Sequence, residues 1–401
     1  MFGHPAPVLM FVLGALTAWG AALWWAYRQP NHRWYHVWTL GLVTLFWWLG
    51  ESIAIRLGKY EYESFPLRLH LPWGGSPANP SWLDNKLLAL LPDPDQVPAK
   101  INSLCRADSW DIPLPVVAIE AALLFGFFQL SVRLLKSARG HRLRAAMATA
   151  GLCALLIINV FAVLDPVVST TVWCQPGMSN PHATHLPLGL WTWFTTHKHQ
   201  AYWYGVPLVN YAAWFIAAAA FAFVARLDDE RPGGFIRKQT TVALYALATL
   251  LITLCYFLVL LPVKILIDRV LLYGQDHLFS PHPVFAPRTW QLGVVGLLLA
   301  IGVWMVSRGT RNDAARVDNV SVVPKVVTFL FCFGALVVNP HAGLWKVWAV
   351  TSAIALLALL WPRMPALKRS LLSLWRRLLN RIFGGPPDHG SGQMHEAERV
   401  G

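Results

Sequence analysis

The feature that most constrains this chain is a set of about nine apolar stretches, each of roughly 17–25 residues, the length a helix needs to cross about 30 Å of hydrocarbon. They fall at 7–27, 35–57, 112–135, 144–165, 203–225, 240–263, 290–307, 323–339 and 343–361. A bilayer offers no partner for an unpaired backbone N–H or C=O, so stretches of this kind are expected as helices. The composition agrees, with 13% charged residues against about 25% for a soluble domain. The expected fold is all-α: a polytopic transmembrane helical bundle over residues 1–363.

The loops set an expected orientation. Arg28 and Arg33, then Arg139, Arg142 and Arg144, then Arg226, Arg231, Arg237 and Lys238, then Arg308, Arg311, Arg316 and Lys325 follow every second span. The tail after the ninth adds Arg363, Lys368, Arg369, Arg376, Arg377 and Arg381. The positive-inside bias makes that side cytoplasmic, with the N-terminus outside and the C-terminus in the cytoplasm. The net charge of +13 is thereby a matter of membrane orientation and does not point to nucleic acid. Met1–Pro7 carries no Lys or Arg, so the first span reads as a membrane helix and not a cleaved leader. Residues 364–383, Leu-rich with Arg and Lys at helical spacing, read as an amphipathic helix on the inner membrane surface. Residues 384–401 read as a disordered tail.

Two long external loops are expected at 63–110 and 166–202, rich in Trp and without obvious secondary structure; such loops are usually functional or disordered, and the Trp argues for function. Each holds one cysteine, Cys105 and Cys174, and a disulfide between them suits an oxidising compartment. His182, His185, His197 and His199 lie in the second loop at spacings that metal ligands use, but no HExxH run or dense His box is present, and no metal site is expected.

Charges inside a span are costly and are functional candidates. Glu51 sits in Trp47-Trp48-Leu49-Gly50-Glu51, near the external end of the second span. Asp165 closes the fourth, where Pro166 is expected to stop the helix. The fifth opens with Tyr202-Trp203-Tyr204-Gly205-Val206-Pro207, followed by Asn210 and Trp214 at i and i+4, hence on one face. Glu120 is a further intramembrane carboxyl. In the nine-span topology these residues share the external half of the membrane and can line one pocket. Interface anchoring is an ordinary explanation for any single Trp or Tyr among them.

The chain resembles the integral-membrane carotenoid biosynthesis proteins of the carotenoid 1,2-hydratase and bisanhydrobacterioruberin hydratase group. The matching pieces are Glu51 followed by Gly58-x-Tyr60-x-Tyr62, Ile112-Pro113-Leu114, Asp165-Pro166, Trp191-x-Trp193, and Tyr204-Gly205-Val206-Pro207-x-x-Asn210-Tyr211-x-x-Trp214. They cover roughly residues 35–265. The resemblance implies a bacterial cytoplasmic-membrane enzyme acting on a lipophilic carotenoid or isoprenoid among membrane lipids.

Hydration of a terminal alkene needs an acid to protonate the double bond and water to capture the tertiary cation. No cofactor is required. A carboxyl group in apolar surroundings holds its proton more readily than one in water. The resemblance thus implies Glu51 and Asp165 as acid and base in an order left open, with Asn210 completing the catalytic set. Trp48, Tyr60, Tyr62, Glu120, Trp193, Tyr204 and Trp214 are the expected substrate-binding residues, since aromatic faces stabilise a passing cation. A membrane terpene or carotenoid cyclase would use the same acid and lining. A lipid or isoprenoid binding or transport protein is the reading from a different class.

Overall fold

The computed structural model describes residues 6–29, 33–56, 60–62, 67–70, 81–82, 111–135, 142–170, 191–193, 202–229, 287–309, 319–338 and 342–360. Eight helices lie among them: α1 (Ala6–Tyr27), α2 (Arg33–Arg56), α3 (Leu114–Leu134), α4 (Arg142–Thr170), α5 (Leu208–Asp229), α6 (Pro287–Ser307), α7 (Asn319–Val338) and α8 (Ala342–Leu360). They correspond to eight of the nine expected stretches; 240–263 lies outside the described residues, as do 364–401, Cys105, Cys174 and the four loop histidines. Among the described residues six helices are long and apolar enough to cross a membrane: α1, α3, α4, α5, α7 and α8. The apolar part of α6 is shorter, Leu292–Ser307. α2 carries Glu51 and begins and ends on arginine.

α3 and α4 form the centre. α3 is buried almost continuously from Pro115 to Ser131. Pro115 in its first turn gives up no intrahelical bond, because the N–H groups there have no acceptor within the helix. α4 packs against α3, α5, α6, α7 and α8, while α1 packs against α2, α3 and α7. Small residues permit the closest approaches, as is usual between membrane helices. A Cβ on Gly126 of α3 would lie 2.6 Å from the Val320 carbonyl oxygen of α7. Polar side chains stitch neighbouring helices together, one of them to the centre. Asn159 Nδ2 donates to the Thr351 carbonyl at 2.9 Å, Trp348 Nε1 to the Phe329 carbonyl at 3.0 Å, and Trp19 Nε1 to Thr44 Oγ1 at 3.0 Å.

Three features correct the sequence-based expectations. First, Pro166 does not end its helix: α4 runs on to Thr170 with the proline inside it. Second, the all-α expectation omitted three short antiparallel ribbons. β1 (Tyr60–Tyr62) pairs with β4 (Trp191–Trp193), β2 (Arg68–Leu69) with β3 (Ile112–Pro113), and β5 (Tyr202–Trp203) with β6 (Val206–Pro207). In the first, Tyr60 opposes Trp193 and Tyr62 opposes Trp191, so part of the expected unstructured loop 166–202 is ladder. Third, the fifth span begins at Leu208 and not near 203, because residues 202–207 form a hairpin. Its two turn residues, Tyr204 (φ 47°) and Gly205 (φ 85°), both have positive φ, the conformation that a two-residue hairpin of right-handed twist requires.

Candidate active site

Glu51, Glu120 and Asp165 come from three different helices, α2, α3 and α4, and are 7%, 4% and 2% exposed. Each is within electrostatic reach of the other two. Their hydrogen bonds differ. Tyr62, at the end of β1, donates its phenol to Glu51 Oε2. Asn210, in the first turn of α5, donates Nδ2 to Asp165 Oδ2 at 2.6 Å. Glu120 Oε2 is buried and has no hydrogen-bond partner among the described residues. The phenol of Tyr211 is likewise buried without a partner and lies within electrostatic reach of Asp165.

An aromatic layer sits one helical turn from this polar layer. Trp47 precedes Glu51 by four residues, Phe161 precedes Asp165 by four, and Trp214 follows Asn210 by four, so each aromatic shares a helix face with its polar residue. The three rings meet: Trp214 stacks on Phe161 at 3.7 Å between centroids and lies 4.1 Å from Trp47. A second aromatic group lies beside Tyr62. Its ring meets Trp191 at 5.9 Å, Trp191 meets Phe11 at 6.2 Å, and Phe11 meets Phe331 of α7 at 5.2 Å. Cys332, the next residue on α7, is fully buried within electrostatic reach of Asp165.

The structure therefore brings together Glu51, Tyr62, Glu120, Asp165, Asn210 and Trp214 of the residues singled out from sequence. Trp48 is half-buried against the core, and it is its neighbour Trp47 that meets Trp214. Tyr60 and Trp193 are placed by backbone pairing alone, as the opposite pair at one end of the β1·β4 ladder. Tyr204 packs elsewhere: a Cβ on Gly343, at the start of α8, would lie 2.6 Å from its hydroxyl. Trp47, Phe161, Tyr211, Trp191 and Cys332 were not picked out as site residues. For Trp47 and Phe161 the spacing of four to the carboxyls was the available signal. Cys332 offered none, because its coming within electrostatic reach of Asp165 depends on how α7 packs. Among the described residues no group of three His, Cys, Asp or Glu is arranged to hold a metal ion.

Such a site offers three buried carboxyls with different hydrogen-bond donors and a wall of aromatic rings. Buried carboxyls next to aromatic rings are suited to exchanging protons with an apolar substrate.

Residues 112–274 match the family model described as carotenoid biosynthesis protein. The match runs from β3 through α5 and takes in Glu120, Asp165, Asn210, Tyr211 and Trp214, leaving Glu51, Tyr62 and Cys332 outside it. It supports the resemblance read from the sequence and, with it, a role in carotenoid biosynthesis. The comparisons with curated proteins and with solved structures gave no match.

Proposed function

We propose that this chain is a membrane enzyme of carotenoid or isoprenoid biosynthesis that adds water across a terminal carbon–carbon double bond by acid catalysis. The observation that carries the reading is the set of three buried carboxyls beside an aromatic layer, two accepting hydrogen bonds from Tyr62 and Asn210 and one, Glu120, whose Oε2 has no partner among the described residues. Three carboxyls so close together cannot all be charged in apolar surroundings. Glu120, with no donor aimed at Oε2, is the one suited to deliver a proton. A C–H bond forms at the alkene terminus and a tertiary cation is left beside the aromatic layer, where the outer faces of Trp47 and Phe161, those turned away from Trp214, attract it. Water attacks the cation, and its surplus proton passes to Asp165, which Asn210 keeps oriented. A proton then passes from Asp165 back to Glu120, which restores both groups, and the sum is one water added with no change of redox state.

Cyclisation would use the same acid but needs a dry site. Glu120 Oε2 and the Tyr211 hydroxyl favour hydration, because buried polar atoms without protein partners are normally satisfied by ordered water. The wider reading takes all nine apolar stretches as spans, with the N-terminus outside and the C-terminus in the cytoplasm of a bacterium. The substrate then enters from the surrounding lipid. Mass analysis of carotenoids from producing cells, with and without the protein, tests the function. A product heavier by one water is expected; an isomer of unchanged mass would replace hydration by cyclisation, and no new product with several acyclic carotenoids would sink both.

A further inference from the structure

Two turns along α7 from the carboxyl site lies a buried lysine whose ammonium has no hydrogen-bond partner among the described residues. Lys325 is 2% exposed. It stands seven residues before Cys332, about 10 Å along a helix that rises 1.5 Å per residue. Its Nζ sits 4.6 Å from the centre of the Phe127 ring and makes no hydrogen bond. The buried thiol of Cys153 is within electrostatic reach, and among the described residues no carboxylate pairs with the ammonium. A lysine that merely snorkels carries its ammonium out to the interface; this one is held inside on an aromatic face. Ionisable groups within a span pair with something or mark a path or site.

The donors around it point one way. Ser321 is four residues earlier on α7, on the same face, 1% exposed, and its hydroxyl also lacks a partner. Helical side chains lean toward the helix N-terminus, so both reach toward the start of α7 at Asn319. There the first N–H groups have no intrahelical acceptor, and the helix dipole adds partial positive charge. Ser131 and Thr149, buried and unpartnered, lie toward the same end of the bundle, past Phe127 on α3 and before Cys153 on α4. Among the described residues these are a lysine, hydroxyls and amides; Asp318, one residue before α7, lies outside them.

We propose that this end of α7 is a phosphate-binding site, distinct from the carboxyl site, in which Lys325 supplies the charge and Ser321 and the first-turn amides supply the remaining donors. A phosphate has enough acceptor oxygens to engage a cation, a hydroxyl and backbone amides together, and helix N-termini and basic pockets between membrane helices are recurrent hosts for it. The phosphate comes from a phospholipid headgroup or from a diphosphate group, and the two are separable.

The test uses the full-length protein in detergent, followed by native mass spectrometry. The probes are phosphatidylglycerol, diacylglycerol with the same chains, and inorganic diphosphate. Wild type is expected to retain phosphatidylglycerol or diphosphate and to discriminate against diacylglycerol. Lys325→Gln should weaken retention about tenfold or more, and Lys325→Arg should restore most of it. Ser321→Ala, which keeps the cation and removes little volume, should weaken it about threefold or more, so the idea stays testable if Lys325→Gln folds poorly. An effect on phosphatidylglycerol alone identifies a lipid phosphate; an effect on diphosphate identifies a free or isoprenoid-borne group. Equal retention by wild type and variants, equal retention of diacylglycerol, or no retention of either phosphate probe by wild type overturns the site.

Discussion

The indole N–H of Trp203 donates to the carbonyl of Ala162 at 2.9 Å. Ala162 is four residues before Pro166, so its carbonyl is the one for which proline has no helical donor to offer. The hairpin that precedes α5 thus supplies the bond that lets α4 continue past the proline, which keeps Asp165 within a helix and not at its frayed end. Trp203→Phe should lower stability by about 1 kcal/mol, the lower part of the range for an orphaned acceptor because this indole is partly exposed. In a Pro166→Ala background, where the helix can bond Ala162 itself, the loss should largely vanish. Thermal unfolding of the four proteins in the cycle would show this, and equal losses in both backgrounds would break the link between Trp203 and Pro166.

The carboxyls should separate by role. Glu120→Gln is expected to reduce conversion by about 10²–10⁴-fold, the usual contribution of a positioned acid, while leaving the protein folded, since Glu120 Oε2 has no hydrogen bond to lose. Asp165→Asn should reduce it comparably by removing the base. Product formation with normal thermal stability is the measurement, and full activity in both variants would exclude acid–base work at this site.

Asn210→Leu removes the donor to Asp165 Oδ2 and leaves a buried carboxyl oxygen unpaired. A loss of about 1–3 kcal/mol is expected from the missing hydrogen bond, together with lower activity from a carboxyl no longer held in place. Asn210→Asp should be worse, because it sets a further carboxyl against Asp165. Unfolding midpoints and conversion rates read the two effects separately.

Gly126→Ala should weaken the α3–α7 contact. The added methyl would stand 2.6 Å from the Val320 carbonyl oxygen, which is backbone and cannot swing aside. The helices must separate, at about 1–3 kcal/mol, and the thermal midpoint should fall. Gly50→Ala makes a control, since nothing lies within 4 Å of a Cβ there.

The membrane-helix architecture could be read from sequence because in lipid a helix satisfies its own backbone, so length and hydropathy suffice without knowledge of neighbours. Helical spacing is equally local. It put Asn210 and Trp214 on one face, and the same rule applied to Glu51 and Asp165 points to Trp47 and Phe161. What only the tertiary structure decided is whatever depends on segments distant in the chain. The pairing of Tyr62 with Glu51 rests on a ribbon formed with residues 191–193, and the continuation of α4 past Pro166 rests on an indole from another element. That Cys332 comes within electrostatic reach of Asp165 depends on how α7 packs. Composition and periodicity say which groups are costly to bury; only packing says which donor meets each of them, and here that choice distinguishes Glu120 from the two carboxyls that are held.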